Sequence, residues 1–329
     1  MIITQRKQLK GGSLSGTFIC SDNLGNHFVR KECSLNNNRE YGFQRWYSQL
    51  KRLQRYGKQY PSIFPNIIRY GMLDNIAYFD MDYVSDSITL FEYLCSTNDK
   101  NKIELAFLSL LEVMSKLYNP ELDSFSGAID LYLHEEVDRR IKDCLGSNIF
   151  SNFIMYQEIV FNGNSVKGFY HILQHYSKKF KVSYTSNKEN YTHGNLTLEN
   201  ILYQPQINKI IFIDPYEENI IDSRITDYSQ LLQSCNSFYE LYNASDPEIH
   251  GNIVNCKITI PDGLKYFREL LISHIADNFT DQERNLIKLF EISQYARMLP
   301  FKKEIDEKKM ILFYAVGSQL YDAYLHDLI

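Results

Sequence analysis

The sequence predicts an α+β fold with two lobes, a small antiparallel-sheet lobe over residues 1–84 and a larger helical lobe over residues 85–329. Two observations carry this prediction. Short β-like runs separated by glycine and asparagine turns fill the first lobe, and apolar residues at helical spacing dominate after Ser85. The length of 329 residues and a hydrophobic content of 44% suffice for a large core divided between two lobes.

The amino-terminal lobe is predicted to be a meander of strands with one helix. Glycines over 11–16 precede the first clear strand, and an asparagine-bounded turn separates it from the second. Aromatic and apolar spacing over Arg39–Tyr56 predicts a helix, and the apolar run Ala77–Val84 suits a buried strand. The two earlier strands are predicted at Thr17–Cys20 and His27–Lys31, with the turn at Asn23–Asn26.

The second lobe shows helical blocks interrupted by one β-like island. The run Thr280-Asp281-Gln282-Glu283 has the pattern of a capping box at the start of the last block. The island pairs Asn200–Tyr203 with Lys209–Ile213 across a polar turn and ends at Asp214-Pro215. The clearest blocks are Lys102–Leu117, Glu135–Cys144, Gly168–Phe180, Gly263–Asn278 and Asp281–Met298.

Charge and cysteine content limit the kinds of partner expected and indicate the cellular compartment. The net charge is −5, with 35 basic and 40 acidic side chains intermixed, so no surface for nucleic acid or an anionic membrane is predicted. Six scattered cysteines without a Cys-x-x-Cys pair are typical of free thiols in a reducing compartment. With no basic-plus-apolar leader and no apolar run near the roughly 18 to 20 residues of a membrane span, we expect a cytoplasmic protein.

One octapeptide carries the strongest chemical signal. His193-Gly194-Asn195 begins it, Asn200 ends it, and Asp214 follows fourteen residues later. Phosphoryl transfer needs a base or positioning group at the attacking hydroxyl, and oxygen ligands that hold magnesium against the phosphates. The hairpin predicted between Asn200 and Asp214 brings both oxygen ligands to one edge.

These segments resemble the aminoglycoside and choline phosphotransferase superfamily, whose motif usually reads His-Gly-Asp, then Asn, then Ile-Asp. The resemblance covers roughly residues 8 to 235. It implies a protein-kinase-like two-lobe fold, ATP and Mg²⁺ as cofactors, and a small-molecule hydroxyl acceptor as partner. It further implies that Asn200 and Asp214 bind Mg²⁺, that His193 braces the loop, and that Asp227 is the structural aspartate of the family.

The resemblance also assigns a nucleotide-binding side. Lys31 lies on the strand where the kinase lysine meets the α- and β-phosphates, and Glu40 would be its ion-pair partner. Glycines permit close approach of backbone amides to phosphate. The remaining cofactor-binding candidates are Gly11, Gly12, Ser13 and Gly16 in the glycine loop, and Met81, Asp82 and Tyr83 where the adenine hinge would lie.

Other features have plainer interpretations. Only one of Arg30 and Lys31 can face the cleft, because side chains alternate along a strand, so we expect Arg30 to be a solvated charge. His171 and His175 lie four apart but lack a third ligand nearby, which favours surface or core histidines over a metal site. The 25 tyrosines and 20 phenylalanines are spread throughout, which favours ordinary packing over an aromatic cage.

Asn195 stands where the resemblance expects the catalytic aspartate. A carboxylate accepts the proton of the substrate hydroxyl, whereas a neutral amide can orient the hydroxyl but is no base. General-base catalysis contributes about 10² to 10⁴-fold, so we expect turnover to fall more than binding. Two origins fit: an active kinase whose catalytic aspartate was replaced, or a natural pseudokinase that binds nucleotide as an interaction module.

The sequence therefore favours MgATP-dependent transfer of the γ-phosphoryl group to a hydroxyl of a small metabolite. Candidate acceptor contacts are Tyr216, Glu217 and Glu218. A cationic acceptor would need acidic and aromatic neighbours and a sugar would need hydrogen-bonding side chains, and both stay open. A protein Ser/Thr kinase is disfavoured because Asp214-Pro215 replaces Asp-Phe-Gly and no Ala-Pro-Glu follows.

Overall fold

Five antiparallel strands and one long helix form the amino-terminal region of the computed structural model. The structure describes residues 3–9, 16–36, 39–118, 121–123, 127–184, 188–216 and 219–326. The elements are β1 (Ile3–Gln8), β2 (Gly16–Asp22), β3 (His27–Ser34), α1 (Arg39–Gln59), β4 (Ile67–Leu73) and β5 (Ile76–Asp82). The strand order is β1-β2-β3-β5-β4, and each neighbouring pair is antiparallel.

The two faces of this sheet have different roles. On one face, Trp46 of α1 packs on Phe79 of β5 and donates its indole N–H to the Lys31 carbonyl. On the other face, Asp80 is 1% exposed and accepts bidentate hydrogen bonds from Arg30, at 2.7 and 2.9 Å, and a further one from Arg69. Arg30 is therefore a buried ion-pair partner, and the expectation of a solvated charge was wrong.

The second region is mainly helical. Its first half contains β6 (Ile88–Thr89), α2 (Leu90–Ser96), α3 (Lys100–Leu117), β7 (Glu121–Asp123), α4 (Ala128–Tyr132), α5 (Arg139–Cys144), α6 (Asn148–Phe153), β8 (Glu158–Phe161), β9 (Asn164–Lys167), α7 (Phe169–Ser183) and β10 (Lys188–Asn190). Its second half contains β11 (Ile201–Gln204), β12 (Lys209–Phe212), α8 (Arg224–Cys235), α9 (Tyr239–Ala244), β13 (Glu248–His250), β14 (Ile253–Asn255), α10 (Asp262–Asn278), α11 (Asp281–Ile305) and α12 (Glu307–His326). A π-helical turn, Leu133–Asp138, joins α4 to α5.

The predicted helical blocks correspond to α3, α7, α10, α11 and the continuous α4–α5 segment. The capping box is present, since Thr280 and Glu283 exchange side-chain to backbone hydrogen bonds. The hairpin of β11 and β12 also forms, but it is not alone. Strands β13, β14, β8 and β9 form a second sheet, and β7 pairs with β10, so the prediction of a single β-like island was wrong.

One hydrophobic core runs through both regions. It includes Trp46 and Phe79 of the first region and the interior of α8, α11 and α12 in the second. All six cysteines lie in described segments and are free thiols. Within the described ranges, no helix is both long enough and apolar enough to cross a membrane.

The Arg30–Asp80–Arg69 cluster predicts a large effect of one substitution. Asp80→Ala would leave two guanidinium groups without their buried carboxylate, which costs about 3 to 5 kcal/mol of unfolding free energy. Urea denaturation measures this loss. Glu112→Ala removes an exposed carboxylate paired with Lys116 and should change stability by less than about 0.5 kcal/mol. Equal effects of the two substitutions would contradict the assignment of a stabilising buried cluster.

Candidate functional site

A buried histidine fixes the start of the loop between β10 and β11. His193 is fully buried, and its Nε2 donates to the Ile213 carbonyl at 2.7 Å. Its Nδ1 accepts from the Asn195 amide at 3.2 Å, so the hydrogen bonds specify the neutral Nε2–H tautomer. Burial lowers the pKa of His193 to about 3, against the partial opposing effect of the Ile213 carbonyl. The imidazole is thus a brace between the loop and the end of β12.

Gly194 occupies a position that no other residue could take without rearrangement. Its φ is +76°, in the left-handed region that favours glycine. A Cβ atom here would overlap the Asn219 amide and lie 2.6 Å from the Tyr216 carbonyl oxygen and 2.7 Å from the Arg52 guanidinium. The crowding shows that the loop and the segment after Asp214 fold tightly together.

Helix α8 holds the loop with a stripe of buried polar side chains. Asp227 accepts from the amides of His193 and Gly194, both at 2.8 Å. Gln230 accepts from the Leu196 amide at 2.6 Å, and Ser234 accepts from the Leu198 amide at 3.0 Å. Burial raises the pKa of Asp227 to about 7, while the two amide donors act in the opposite direction. Asp227 thus binds two consecutive amides of the loop, and its assignment as the structural aspartate of the family stays a prediction.

Helix α1 holds the same loop from the other side. Arg52 is 2% exposed, pairs with Asp222 at 2.7 Å and donates to the His193 carbonyl at 3.4 Å. Tyr56 donates to the Thr192 carbonyl at 2.9 Å, and the Thr192 hydroxyl donates to Asp222 at 2.7 Å. These residues were missed in the sequence. No local pattern singles them out, because the buried side of α1 also carries the polar residue Gln49.

The other candidate residues make two contacts, one within the loop and one between Asp214 and Lys31 of β3. The amide nitrogen of Asn200 donates to the Asn195 carbonyl at 2.8 Å, which turns the Asn200 side-chain oxygen away from the loop backbone. Asp214, with φ of +56°, pairs with the Lys31 amine at 2.9 Å. Burial alone would raise the pKa of Asp214, but the charge and hydrogen bond of Lys31, with smaller effects of His193 and Arg45, together lower it. Asp214 is therefore a carboxylate at neutral pH.

This donor set fits a magnesium ion carried with a nucleotide. Magnesium is usually bound by one or two carboxylate or amide oxygens, with substrate phosphates and water completing its shell. Asn200 and Asp214 offer such oxygens, and Lys31 offers a buried positive charge beside Asp214. Within the described residues, no cluster of three or more His, Cys, Asp or Glu could hold a metal ion unaided.

The other residues predicted to bind the cofactor or the acceptor lie in several different segments. Met81 is buried in β5, Asp82 ends β5 and accepts two hydrogen bonds from Asn66, and the Tyr83 ring packs edge-on against His27. Gly16 begins β2. Gly11, Gly12, Ser13, Glu217 and Glu218 lie outside the described residues, as does the side chain of Glu40, although its backbone belongs to α1. Asp214 is the described partner of Lys31.

The two spaced histidines of α7 do not form a joint site. His171 hydrogen-bonds through Nε2 with the Ile154 carbonyl at 2.9 Å, and His175 through Nδ1 with the Tyr321 hydroxyl at 2.8 Å. Each imidazole thus has its own protein partner. The interpretation as separate, satisfied histidines agrees with these contacts.

Comparison with solved structures identifies the fold. A protein assigned as fructosamine-3-kinase from Haemophilus somnus aligns over 97% of this chain and 92% of its own, with a TM-score of 0.60 and 10% identity. Its counterpart from Thermobifida fusca aligns over 97% and 94%, with a TM-score of 0.54 and 11% identity. The amicoumacin kinase hAmiN, in complex with AMP-PNP, Ca²⁺ and Ami, aligns over 99% and 92%, with a TM-score of 0.56 and 9% identity.

The chain has the protein-kinase-like fold. No protein-family model matches its sequence, and no curated protein matches it either. Structural similarity, without sequence similarity, therefore confirms the two-lobe architecture predicted from the sequence. An antiparallel-sheet region is followed by a helical region.

The depressed pKa of His193 predicts a pH effect on stability. Its unfolded-state value is near 6.5, so below that pH the unfolded chain binds a proton that the folded chain excludes until about pH 3. The stability linked to neutral His193 is complete above pH 6.5 and is lost on acidification, by up to about 1.4 kcal/mol per pH unit. Urea unfolding between pH 7 and 5 should show a steeper loss in the parent chain than in His193→Gln.

A matched variant separates this effect from general acid sensitivity. His134→Gln removes an exposed histidine paired with Glu135 and should keep the steeper slope of the parent. Asp227 acts in the opposite direction to His193, because its raised pKa favours the folded state at low pH. Asp227 is unchanged in the parent and in both histidine variants, so its contribution is common to all three. A His193 imidazole that titrates near 6.5 in ¹⁵N NMR spectra of the folded chain would contradict the prediction.

Proposed function

We propose that this chain binds MgATP and transfers the γ-phosphoryl group to a hydroxyl of a small metabolite, at a rate limited by Asn195. The observation that carries the proposal is the Lys31–Asp214 ion pair, next to the backbone hydrogen bond from Ile213 to Asn200 and beside a loop that α8 and α1 hold. Positioning and electrostatic stabilisation supply most of the catalysis of phosphoryl transfer, and this arrangement supplies both.

The roles follow from the contacts. Lys31 would exchange its carboxylate partner for the α- and β-phosphates, which offer it equivalent oxygen acceptors. Asn200 and Asp214 would hold Mg²⁺, which when bound neutralises charge on the transferred phosphoryl group. His193 keeps the loop in register and, being neutral, adds no positive charge. Under this proposal residues 1–84 bind the nucleotide and residues 85–329 bind the acceptor.

Asn195 determines how fast the proposed reaction can be. The backbone N–H of Asn195 donates to His193, and its backbone carbonyl accepts from Asn200. These hydrogen bonds fix the Asn195 backbone where the acceptor hydroxyl would arrive. The side-chain amide can accept a hydrogen bond from that hydroxyl and orient it, but it cannot take the proton. The proton would then leave to solvent or to the transferred phosphoryl oxygens, which makes turnover slow and leaves nucleotide binding intact.

The structural neighbours support the small-molecule class of acceptor. They are assigned as fructosamine-3-kinases and an amicoumacin kinase, and the latter holds AMP-PNP and Ca²⁺. A nucleotide and a divalent cation therefore occupy a protein of this shape. At identities of 9 to 11% the acceptor itself does not transfer to this chain.

Restoring the carboxylate tests the proposal. We expect Asn195→Asp to raise ADP release from MgATP by at least about 10²-fold with a suitable acceptor, the scale of a general base. The assay compares both proteins across sugars, amino alcohols, aminoglycosides and nucleosides. Asn195→Ala, which can neither orient nor accept a proton, should stay at or below the parent rate. Adding Asp214→Asn to Asn195→Asp should abolish the gain.

A second candidate function rests on Asn195 itself. A nucleotide-binding interaction module would keep Lys31 and Asp214 for binding and dispense with the base. It predicts that MgATP binds, that Lys31→Met or chelation of Mg²⁺ weakens binding by at least tenfold, and that Asn195→Asp gives no turnover with any acceptor. Calorimetric titration with MgADP and MgAMP-PNP measures the first two. Turnover by Asn195→Asp decides against this candidate.

A further inference from the structure

A half-buried arginine faces the candidate site from α1. The Arg45 guanidinium lies 5.3 Å from the Tyr216 ring and 5.5 Å from the Phe301 ring, so it sits between the segment after Asp214 and helix α11. It is close enough to Asp214 to contribute to the lowered pKa of that carboxyl, after Lys31. Among the residues that the structure describes, Arg45 forms no ion pair.

A second arginine approaches Tyr216 from α11. Arg297 lies one helical turn before Phe301 and interacts electrostatically with Tyr216. Its Nε donates to Glu136 at 2.9 Å, and Glu136 also accepts from Arg140 at 3.2 Å. One carboxylate therefore serves two guanidinium groups. Glu136 belongs to the π-helical turn, a local widening that is frequent at functional sites.

A buried donor lies beside Arg297. Gln294 accepts from the Arg297 guanidinium at 3.1 Å through its side-chain oxygen. Its side-chain nitrogen is buried and has no hydrogen-bond partner in the described part of the chain. Buried amide donors are rarely left without an acceptor, so this nitrogen indicates an oxygen that a ligand or water supplies.

We propose that the acceptor carries an anionic group, a carboxylate or a phosphate, that binds between Arg45 and Arg297 beside Tyr216. The proposal rests on the phosphotransferase function proposed above and specifies the acceptor of that reaction. Guanidinium groups recognise both anions through paired N–H donors, and partial burial strengthens such contacts. Arg45 and Arg297 both lie at Tyr216, and the described side-chain partners of Arg297 are Glu136 and Gln294.

Matched acceptors test this inference in the Asn195→Asp background. The pairs are glycerol with glycerate or glycerol 3-phosphate, and glucose with gluconate or glucose 6-phosphate. We expect at least one anionic compound to exceed its neutral counterpart by tenfold or more in kcat/KM.

Arg45→Gln should reduce that preference about tenfold through the KM for the acceptor, and Arg45→Lys should restore part of it. The KM for MgATP should change less than twofold in both variants. Lys51→Gln, which removes an exposed cation from the same helix, should leave the preference intact.

Binding to the parent chain tests the inference without turnover. Calorimetric titration of the same pairs in the presence of MgAMP-PNP should show the same anionic preference and its loss in Arg45→Gln. Equal or better binding of neutral acceptors, or an Arg45→Gln defect confined to MgATP, overturns the inference. Failure of Asn195→Asp to turn over any acceptor overturns the proposed reaction instead, and the titrations distinguish these results.

Discussion

The buried contacts between Asp227 and two consecutive backbone amides govern the geometry of the candidate site. A tight loop exposes amide hydrogens that its own strands cannot satisfy, and unpaired buried amides cost about 1 to 3 kcal/mol each. Helix α8 provides the acceptors, because Asp227, Gln230 and Ser234 lie at successive turns and each accepts a hydrogen bond from a loop amide. The loop conformation is thus specified by a helix more than thirty residues later, and the position of Asn195 follows from it.

A balance of opposite charges completes the site. Lys31 and Asp214 come from different regions of the chain, and each would be costly to bury alone. Together they neutralise one another while leaving oxygen and nitrogen atoms of the kind that a metal–phosphate complex needs. Nucleotide binding would therefore exchange one set of ionic contacts for another rather than create charge in an apolar interior. The Asn195 side chain adds no charge to this balance, and the contacts of Asn195 with His193 and Asn200 use its backbone groups.

Much of the fold could be predicted because its signals are local. The Thr280 capping box and the β11–β12 hairpin each depend on neighbouring residues, and each is found in place. Helix α12 could not be recognised by periodicity, because residues 309–318 are buried on every side. Arg30 was misplaced because its partner Asp80 lies fifty residues away, across β3 and β5.

Some residues of the candidate site could be predicted from local sequence patterns, and others could not. The spacing of His193, Asn195, Asn200 and Asp214 is visible in the chain, and the structure brings Asn200 to Asn195 and Asp214 to Lys31. Arg52, Tyr56 and Asp222 carry no sequence motif, since their roles arise from the packing of α1 on the loop. Long-range polar pairs of this kind are invisible to any analysis of local pattern.

The contacts of Arg52 also bear on regulation. In a two-lobed enzyme, a helix of the smaller lobe can serve as a switch if it swings outward and takes its contacts with it. Here such a swing would break the Arg52–Asp222 ion pair and the hydrogen bonds from Arg52 and Tyr56 to the carbonyls of His193 and Thr192. Helix α1 therefore anchors the loop, and any movement of this helix would act directly on the backbone at Thr192 and His193.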